Sequence, residues 1–356
     1  MPIERVYFDN FRLFKKKEIF FSKNLNIIIG PNGSGKTTIL EAIELLIKGR
    51  SFRANSSKEC INNKSETFTL ACKGKMNEKE ISLKVTNNKK GRLASSRKSN
   101  DKRIKKVDLP FLQTVIAKSL RMVEGEPDIR REYFNNLMFH VKPGSSKIYD
   151  DFNKILKNRN RCLKNKAKGS ELDVWTKQFI VKGLELSKTQ FLFYQEVKKH
   201  LSSFFDNPKN YAKFRFLKNT EIKFVKGWER SKALSDSLLE SEDRDTLLGY
   251  TSKGPHRMDY EFITGGKLSS SNLSRGQLKI LILLVFLENQ KFLESCSGLE
   301  TILLVDDLGS ELDRENLELI LSEIHLSTNQ IILTGISDEI LEKIVGKLGN
   351  FKGINI

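Results

Sequence analysis

The chain has 356 residues, 38% of them hydrophobic and 30% charged, which suits a substantial core spread over two lobes and excludes a disordered chain. A net charge of +18 favours a polyanionic partner, of which a phosphate backbone is the commonest large example, unless the lysines only solvate the surface. Cys60, Cys72, Cys162 and Cys296 form no C-x-x-C pair and stand near no histidines at ligand spacing, so a disulfide framework and a structural zinc are excluded and a reduced, cytoplasmic chain is expected.

Residues 1–29 read as a strand, a turn and a second strand, carried by Val6, Phe8, Phe11, Ile19, Phe20 and the β-branched run Ile27-Ile28-Ile29. Arg12, at the turn, is either a guanidinium contact for nucleotide phosphates or a surface arginine of a hairpin. The run ends at Gly30, and from Thr37 onward Ile39, Leu40, Ile43, Leu46 and Ile47 recur at helical spacing. Between strand and helix stands Gly30-Pro31-Asn32-Gly33-Ser34-Gly35-Lys36-Thr37-Thr38. Glycines there let backbone N–H groups curl around phosphate oxygens, and the helix N-terminus adds partial positive charge. In such a loop Lys36 reaches the β- and γ-phosphates of ATP, and the Thr37 hydroxyl ligates Mg²⁺.

Beyond this helix, alternation near 67–72 and 81–85 predicts antiparallel strands. Residues 87–106 are the most basic stretch and read as an exposed hairpin tip or loop, either gripping nucleic acid or merely solubilising. From Asp108-Leu109-Pro110 the pattern turns helical, with apolar stripes through Phe152 and Leu163 and then from Val174 to Leu201. These aromatics read as core and not as a base-stacking platform. The helical insert should end near Phe205, before Pro208, with strands returning around Phe214 to Phe224 and a polar helix over 231–248. Residues 280–287 form the longest apolar run, too short to span a bilayer and read as a buried helix.

The C-terminal third narrows the chemistry. Thr301-Ile302-Leu303-Leu304-Val305 reads as a central strand covered on both faces and ends in Asp306-Asp307. Asp306 is the expected second metal ligand and Asp307 the expected base that orients water, because Ser310-Glu311-Leu312-Asp313 supplies the cap of the next helix by itself. Upstream, Leu273-Ser274-Arg275-Gly276-Gln277 opens the apolar helix with a second anion-seeking helix start. Two such starts in one chain are most economically read as meeting the same γ-phosphate from opposite subunits of an ATP-dependent homodimer.

In this order, the glycine loop, Ser274-Arg275-Gly276-Gln277, Leu304-Val305-Asp306-Asp307 and Ser310-Glu311-Leu312-Asp313 resemble the ABC-type ATPase heads of the SMC class, and within that class the RecF family. Asn10-Phe11-Arg12, Ser51-Phe52-Arg53, residues 125–131 and Gly254-Pro255-His256-Arg257 extend the resemblance across nearly the whole chain. It implies an α/β P-loop ATPase head, a mixed sheet with flanking helices, interrupted by a helical second lobe. The expected division is 1–112 for the N-terminal part of the first lobe, 113–250 for the second lobe, and 251–356 for the signature segment and the rest of the first. The resemblance further implies binding to single-stranded DNA gaps and to junctions with duplex DNA, action with RecR and RecO to load RecA, and slow ATP hydrolysis that works as a switch. It assigns Ser274, Gly276 and Gln277 to a contact made in trans and Gln113 to a polar sensor. Two departures stand out: Ala117-Lys118-Ser119 replaces the Pro-Glu of relatives, and no histidine follows Thr334-Gly335-Ile336, where transporter-type heads sense the γ-phosphate. Competing readings are the ATPase subunit of a membrane transporter and a DNA clamp that binds ATP without hydrolysing it.

Overall fold

The computed structural model describes residues 2–76, 79–91, 93–104, 109–165, 170–335 and 351–356. Arg92, Lys105, Lys106, Asp108 and Ile336 therefore lie outside the described residues. In chain order the elements begin β1 Ile3–Phe11, β2 Phe14–Phe20, β3 Leu25–Ile29, α1 Lys36–Lys48, β4 Thr67–Met76, β5 Lys79–Asn88, β6 Ala94–Ser99, β7 Lys102–Arg103 and β8 Phe111–Val115. Next come α2 Arg121–Glu124, α3 Pro127–Val141, α4 Ser145–Lys164, α5 Ser170–Phe205, α6 Pro208–Lys213, β9 Thr220–Val225, α7 Leu234–Glu240 and α8 Glu242–Leu248. The chain continues through β10 Asp259–Thr264, β11 Lys267–Leu268, α9 Ser269–Asn272, α10 Arg275–Ser297, β12 Thr301–Val305, α11 Arg314–His325, β13 Gln330–Thr334 and β14 Phe351–Asn355.

Two compact units result: residues 1–119 with 279–356, and residues 120–278. The first holds a parallel five-stranded sheet in the order β14-β3-β13-β12-β8 and an antiparallel six-stranded sheet in the order β2-β1-β4-β5-β6-β7. Every residue of β12 and β13 is buried, the signature of parallel strands covered on both faces. Helix α1 is buried from Thr38 to Ile47, because its side chains meet both sheets. Ile39, Leu40, Ile43 and Leu46 share one core with Val6, Phe8, Phe68 and Leu83 and also with Ile302, Leu304 and Ile332. Each such aliphatic side chain removed from water contributes about 1.5–3 kcal/mol, so the helix behind the glycine loop is anchored on all sides.

The second unit combines helices α2–α9 with a three-stranded antiparallel sheet, β11-β10-β9. Its long helix α5 buries Phe179, Leu186, Phe193, Val197, Leu201 and Phe205 and ends at Phe205, just before Pro208. Arg130 makes a bidentate bond to Asp259, at 2.8 and 2.7 Å, holding α3 to β10. Within this unit His256 packs between the rings of Phe152 and Phe179, with centroids 6.0 and 5.9 Å away, and its Nε2 lies 3.0 Å from the carbonyl of Thr251.

Three segments differ from the sequence reading. Residues 111–115 form strand β8, whose register pairs Leu303 with Gln113 and Val305 with Val115, where the pattern alone suggested helix. Much of 87–106 is strand, since Ala94 to Ser99 pair antiparallel with Thr86 to Ile81 and β7 adds a further edge. Residues 251–278 belong to the second unit, where β10 is hydrogen-bonded along its length to β9, and not to the first as the sequence division has it.

Candidate functional site

In an open parallel sheet, ligands collect beyond the carboxyl ends of the strands. Here β3, β13 and β12 lie side by side, so the glycine loop after β3, Gly335 after β13 and Asp306-Asp307 after β12 succeed one another along one edge. They enclose a cleft of about 610 Å³ lined by Gly30, Asn32, Gly33, Gly35, Lys36, Thr37 and Thr38 on one side and by Asp306, Asp307, Thr334 and Gly335 on the other. Pro31 and Ser34 belong to the same loop without lining the cleft. Gly33 and Gly35 have φ of +83° and +107°, the left-handed region that glycine enters without penalty. A Cβ on Gly35 would also stand 2.7 Å from the ring of Phe14, so the loop needs glycine there twice over.

Lys36 donates through Nζ to the carbonyls of Gly30 and Pro31, at 2.6 and 2.9 Å, and so sits folded over its own loop. The Thr37 hydroxyl donates to Asp306 Oδ1 at 2.9 Å, and the Thr334 hydroxyl donates to the same oxygen at 2.9 Å. A threonine hydroxyl and a carboxylate in contact at the mouth of a phosphate-binding loop are a hard-oxygen donor set that fits Mg²⁺, which takes its remaining ligands from phosphate and water. Asp307 adopts φ +52°, its N–H donates to Thr334 Oγ1 at 2.9 Å, and its side chain is exposed on the cleft. Asp313, not Asp306 or Asp307, caps α11, accepting from the N–H of Asn316 at 2.8 Å. The aspartate pair is thereby left for the cleft.

Arg12 is placed elsewhere. Its Nε and Nη2 donate to the two oxygens of Glu41 at 3.0 and 2.7 Å, and Nη1 donates to the carbonyl of Glu59 at 2.8 Å. That hydrogen-bonded pairing raises its pKa further. Glu41 is fully buried on α1, and it also accepts from Ser51 Oγ at 2.5 Å. The arginine that lines the cleft is Arg53, carried by the loop that Ser51 fixes. Its signal in the sequence was proximity to the end of α1, which says nothing of direction. Gln113, expected as a sensor, is buried inside β8 at 3% exposure and is not part of the cleft lining.

Ser274, Gly276 and Gln277 lie in the second unit at the start of α10. The Gln277 side chain accepts from the N–H of Ser274 at 3.0 Å while Ser274 Oγ accepts from the N–H of Gln277 at 3.3 Å. This reciprocal capping box orders the helix start and leaves the Ser274 side chain exposed.

The family model described as "RecF/RecN/SMC N terminal domain" matches residues 2–353. The chain is similar to the DNA replication and repair protein RecF of Pseudoalteromonas translucida, with 32% identity covering 90% of this chain and 88% of the relative. Against the protein of the same name from Glaesserella parasuis the identity is 31%, covering 98% and 95%. In fold it is similar to the solved structure titled "Structure of the recombination mediator protein RecF-ATPrS in RecFOR pathway", with a TM-score of 0.77 and 24% identity over 95% of this chain and 93% of that one. The ordered motifs, the family model that matches residues 2–353 and the similarity to RecF proteins over 90–98% of the chain together place it in the RecF/RecN/SMC N-terminal domain family, on its RecF branch.

Proposed function

We propose that this chain is an ATP-dependent DNA-binding protein of recombinational repair and replication-fork maintenance. It binds single-stranded gaps and junctions with duplex DNA and acts with RecR and RecO in loading RecA. The observation that carries the reading is the single cleft in which Lys36, the Thr37–Asp306 pair at 2.9 Å and Asp307 converge. The names of its matched relatives supply the repair context.

Lys36 would exchange its two loop carbonyls for phosphate oxygens, a substitution of neutral acceptors by charged ones that adds ion-pair attraction to each bond. Thr37 and Asp306 would hold Mg²⁺, which when bound would supply neutralisation of the charge that develops on the phosphates. Asp307 would accept a hydrogen bond from the attacking water, and Arg53 would add positive charge at the rim. Ser274, Gly276 and Gln277 would complete the phosphate site of a second copy, so that ATP binding drives dimerisation and slow hydrolysis resets it.

The test compares ATP affinity, oligomeric state and DNA binding, with and without ATP, in wild type and Lys36→Ala. Expected is ATP-strengthened DNA binding and dimerisation in wild type, both lost with Lys36→Ala. DNA affinity indifferent to ATP in wild type would remove the switch.

A further inference from the structure

Lys279 takes no part in the site as described, yet its ammonium is buried and fully bonded in the first unit. It stands on α10 and is 7% exposed. Its Nζ donates to the carbonyl of Asp307 at 2.7 Å, to the carbonyl of Ser310 at 2.7 Å and to the hydroxyl of Ser310 at 2.8 Å. An ammonium has three donors, and all three are spent on one turn of chain. Burial lowers its pKa, against the pull of Asp307, Glu311 and Asp306.

That turn carries the candidate water-orienting carboxylate in a costly conformation. A non-glycine residue in the left-handed region costs about 1–2 kcal/mol, and Asp307 holds φ +52°. Besides the bonds that Ser310 N–H and Oγ donate to its carbonyl, at 3.3 and 3.0 Å, two sets of bonds from outside the turn maintain it. On one side the end of β13 holds it, where Thr334 Oγ1 accepts from Asp307 N–H at 2.9 Å and the carbonyls of Thr334 and Gly335 accept from Leu308 and Gly309 at 2.9 and 3.0 Å. A Cβ on Gly335 would stand 2.4 Å from Asp307 Cα, so this side admits no bulk. The other side is the Lys279 ammonium, which closes the turn across Asp307 and Ser310.

We propose that Lys279 is a positioning residue for hydrolysis: it never touches nucleotide, and it holds the 307–310 turn in the one conformation that presents the Asp307 carboxylate to the cleft. This rests on the reading of Asp307 as the group that orients water. Removing the ammonium strips the part-buried carbonyls of Asp307 and Ser310 of their charged donor, leaves the Asp307 carbonyl with only the Ser310 N–H and hydroxyl at 3.3 and 3.0 Å, and loosens the hold on the strained residue, without disturbing the Lys36 and Thr37 side of the cleft.

The experiment is a double-mutant cycle on ATP hydrolysis with Lys279→Met, Asp307→Asn and the pair, alongside ATP affinity. Expected for Lys279→Met is a fall of at least tenfold in kcat, ATP affinity within about twofold of wild type, and no further fall when it is added to Asp307→Asn, as for two groups acting as a unit. Lys279→Arg, which keeps charge and donors, should retain kcat within about threefold. If Lys279→Met does not fold, Lys279→Gln takes its place in the cycle with the same expectation. An unchanged kcat in Lys279→Met beside a lost one in Asp307→Asn, or equal falls with and without Asp307, overturns the positioning role alone. An unchanged kcat in Asp307→Asn overturns the water-orienting reading and the proposal with it.

Discussion

Glu41 shows how one buried side chain redirects a residue whose sequence position suggests another task. A carboxylate with no exposure needs compensating donors, and Arg12, Ser51 and Cys60 all turn toward it. Burial and the neighbouring Glu41 push the Cys60 thiol pKa up to about 12, so that cysteine stays a protonated donor. Arg12→Met should therefore cost about 3 kcal/mol of stability, the order seen when one partner of a buried pair is removed, and change ATP affinity less than about threefold. Urea unfolding and nucleotide titration check the two halves separately. Nothing in the spacing of Arg12 and Glu41 announced the pair, because a hairpin turn and a helix become neighbours only when both sheets close around α1. His256 gives a second residue-scale expectation. Burial lowers its pKa from an ordinary 6.5 to about 4. The unfolded chain therefore takes up this proton first as pH falls, so the contribution is fully present above about pH 6.5 and is lost progressively toward pH 4. The loss amounts to about 3 kcal/mol at about 1.4 kcal/mol per unit. Unfolding midpoints across pH 4.5–7 should steepen in wild type and flatten in His256→Gln.

Among the elements, those with a strong local pattern were legible from residue order alone. The glycine loop and α1, the buried strand β12 and the end of α5 all stand where periodicity and turn residues put them. Strands β8 and β14 were not, since polar or glycine residues break each short run, Gln113 and Thr114 in β8 and Lys352, Gly353 and Asn355 in β14, whereas β12 is aliphatic from Ile302 to Val305, and each is defined by pairing with a strand far away in sequence, Leu303 with Gln113 and Asn26 with Lys352. A short segment of that kind has no periodicity to read. The start of α10 combines a stabilising and a proposed functional role in one side chain, and charge separates them. Aspartate caps a helix as well as serine does and suits the positive end of the helix dipole, but it repels a phosphate. Ser274→Asp should hold thermal stability within about 0.5 kcal/mol, while Ser274→Ala loses about 1 kcal/mol. Only Ser274→Asp should abolish ATP-driven dimerisation, which sedimentation with and without nucleotide would show. Dimerisation that survives Ser274→Asp would exclude Ser274 from the shared site.

At the scale of the whole molecule, net charge is the property that composition delivers without a fold. With +18, DNA affinity should fall about 10³-fold between 50 and 200 mM salt if about six phosphates are neutralised, and a shallow slope measured by titration at several salt concentrations would make the charge a matter of solvation. No helix among the described residues is long and apolar enough to cross a membrane. The sequence by itself determined the phosphate-loop chemistry, the acidic strand end and the excess of positive charge, because each depends on residues adjacent in the chain. Tertiary structure alone decided that β13 sits between β3 and β12, that Arg53 and not Arg12 lines the cleft, and that Lys279 ties down the turn after Asp307. Those facts depend on which distant segments share a sheet edge or a buried carboxylate, and such proximity is a product of packing that no local pattern encodes.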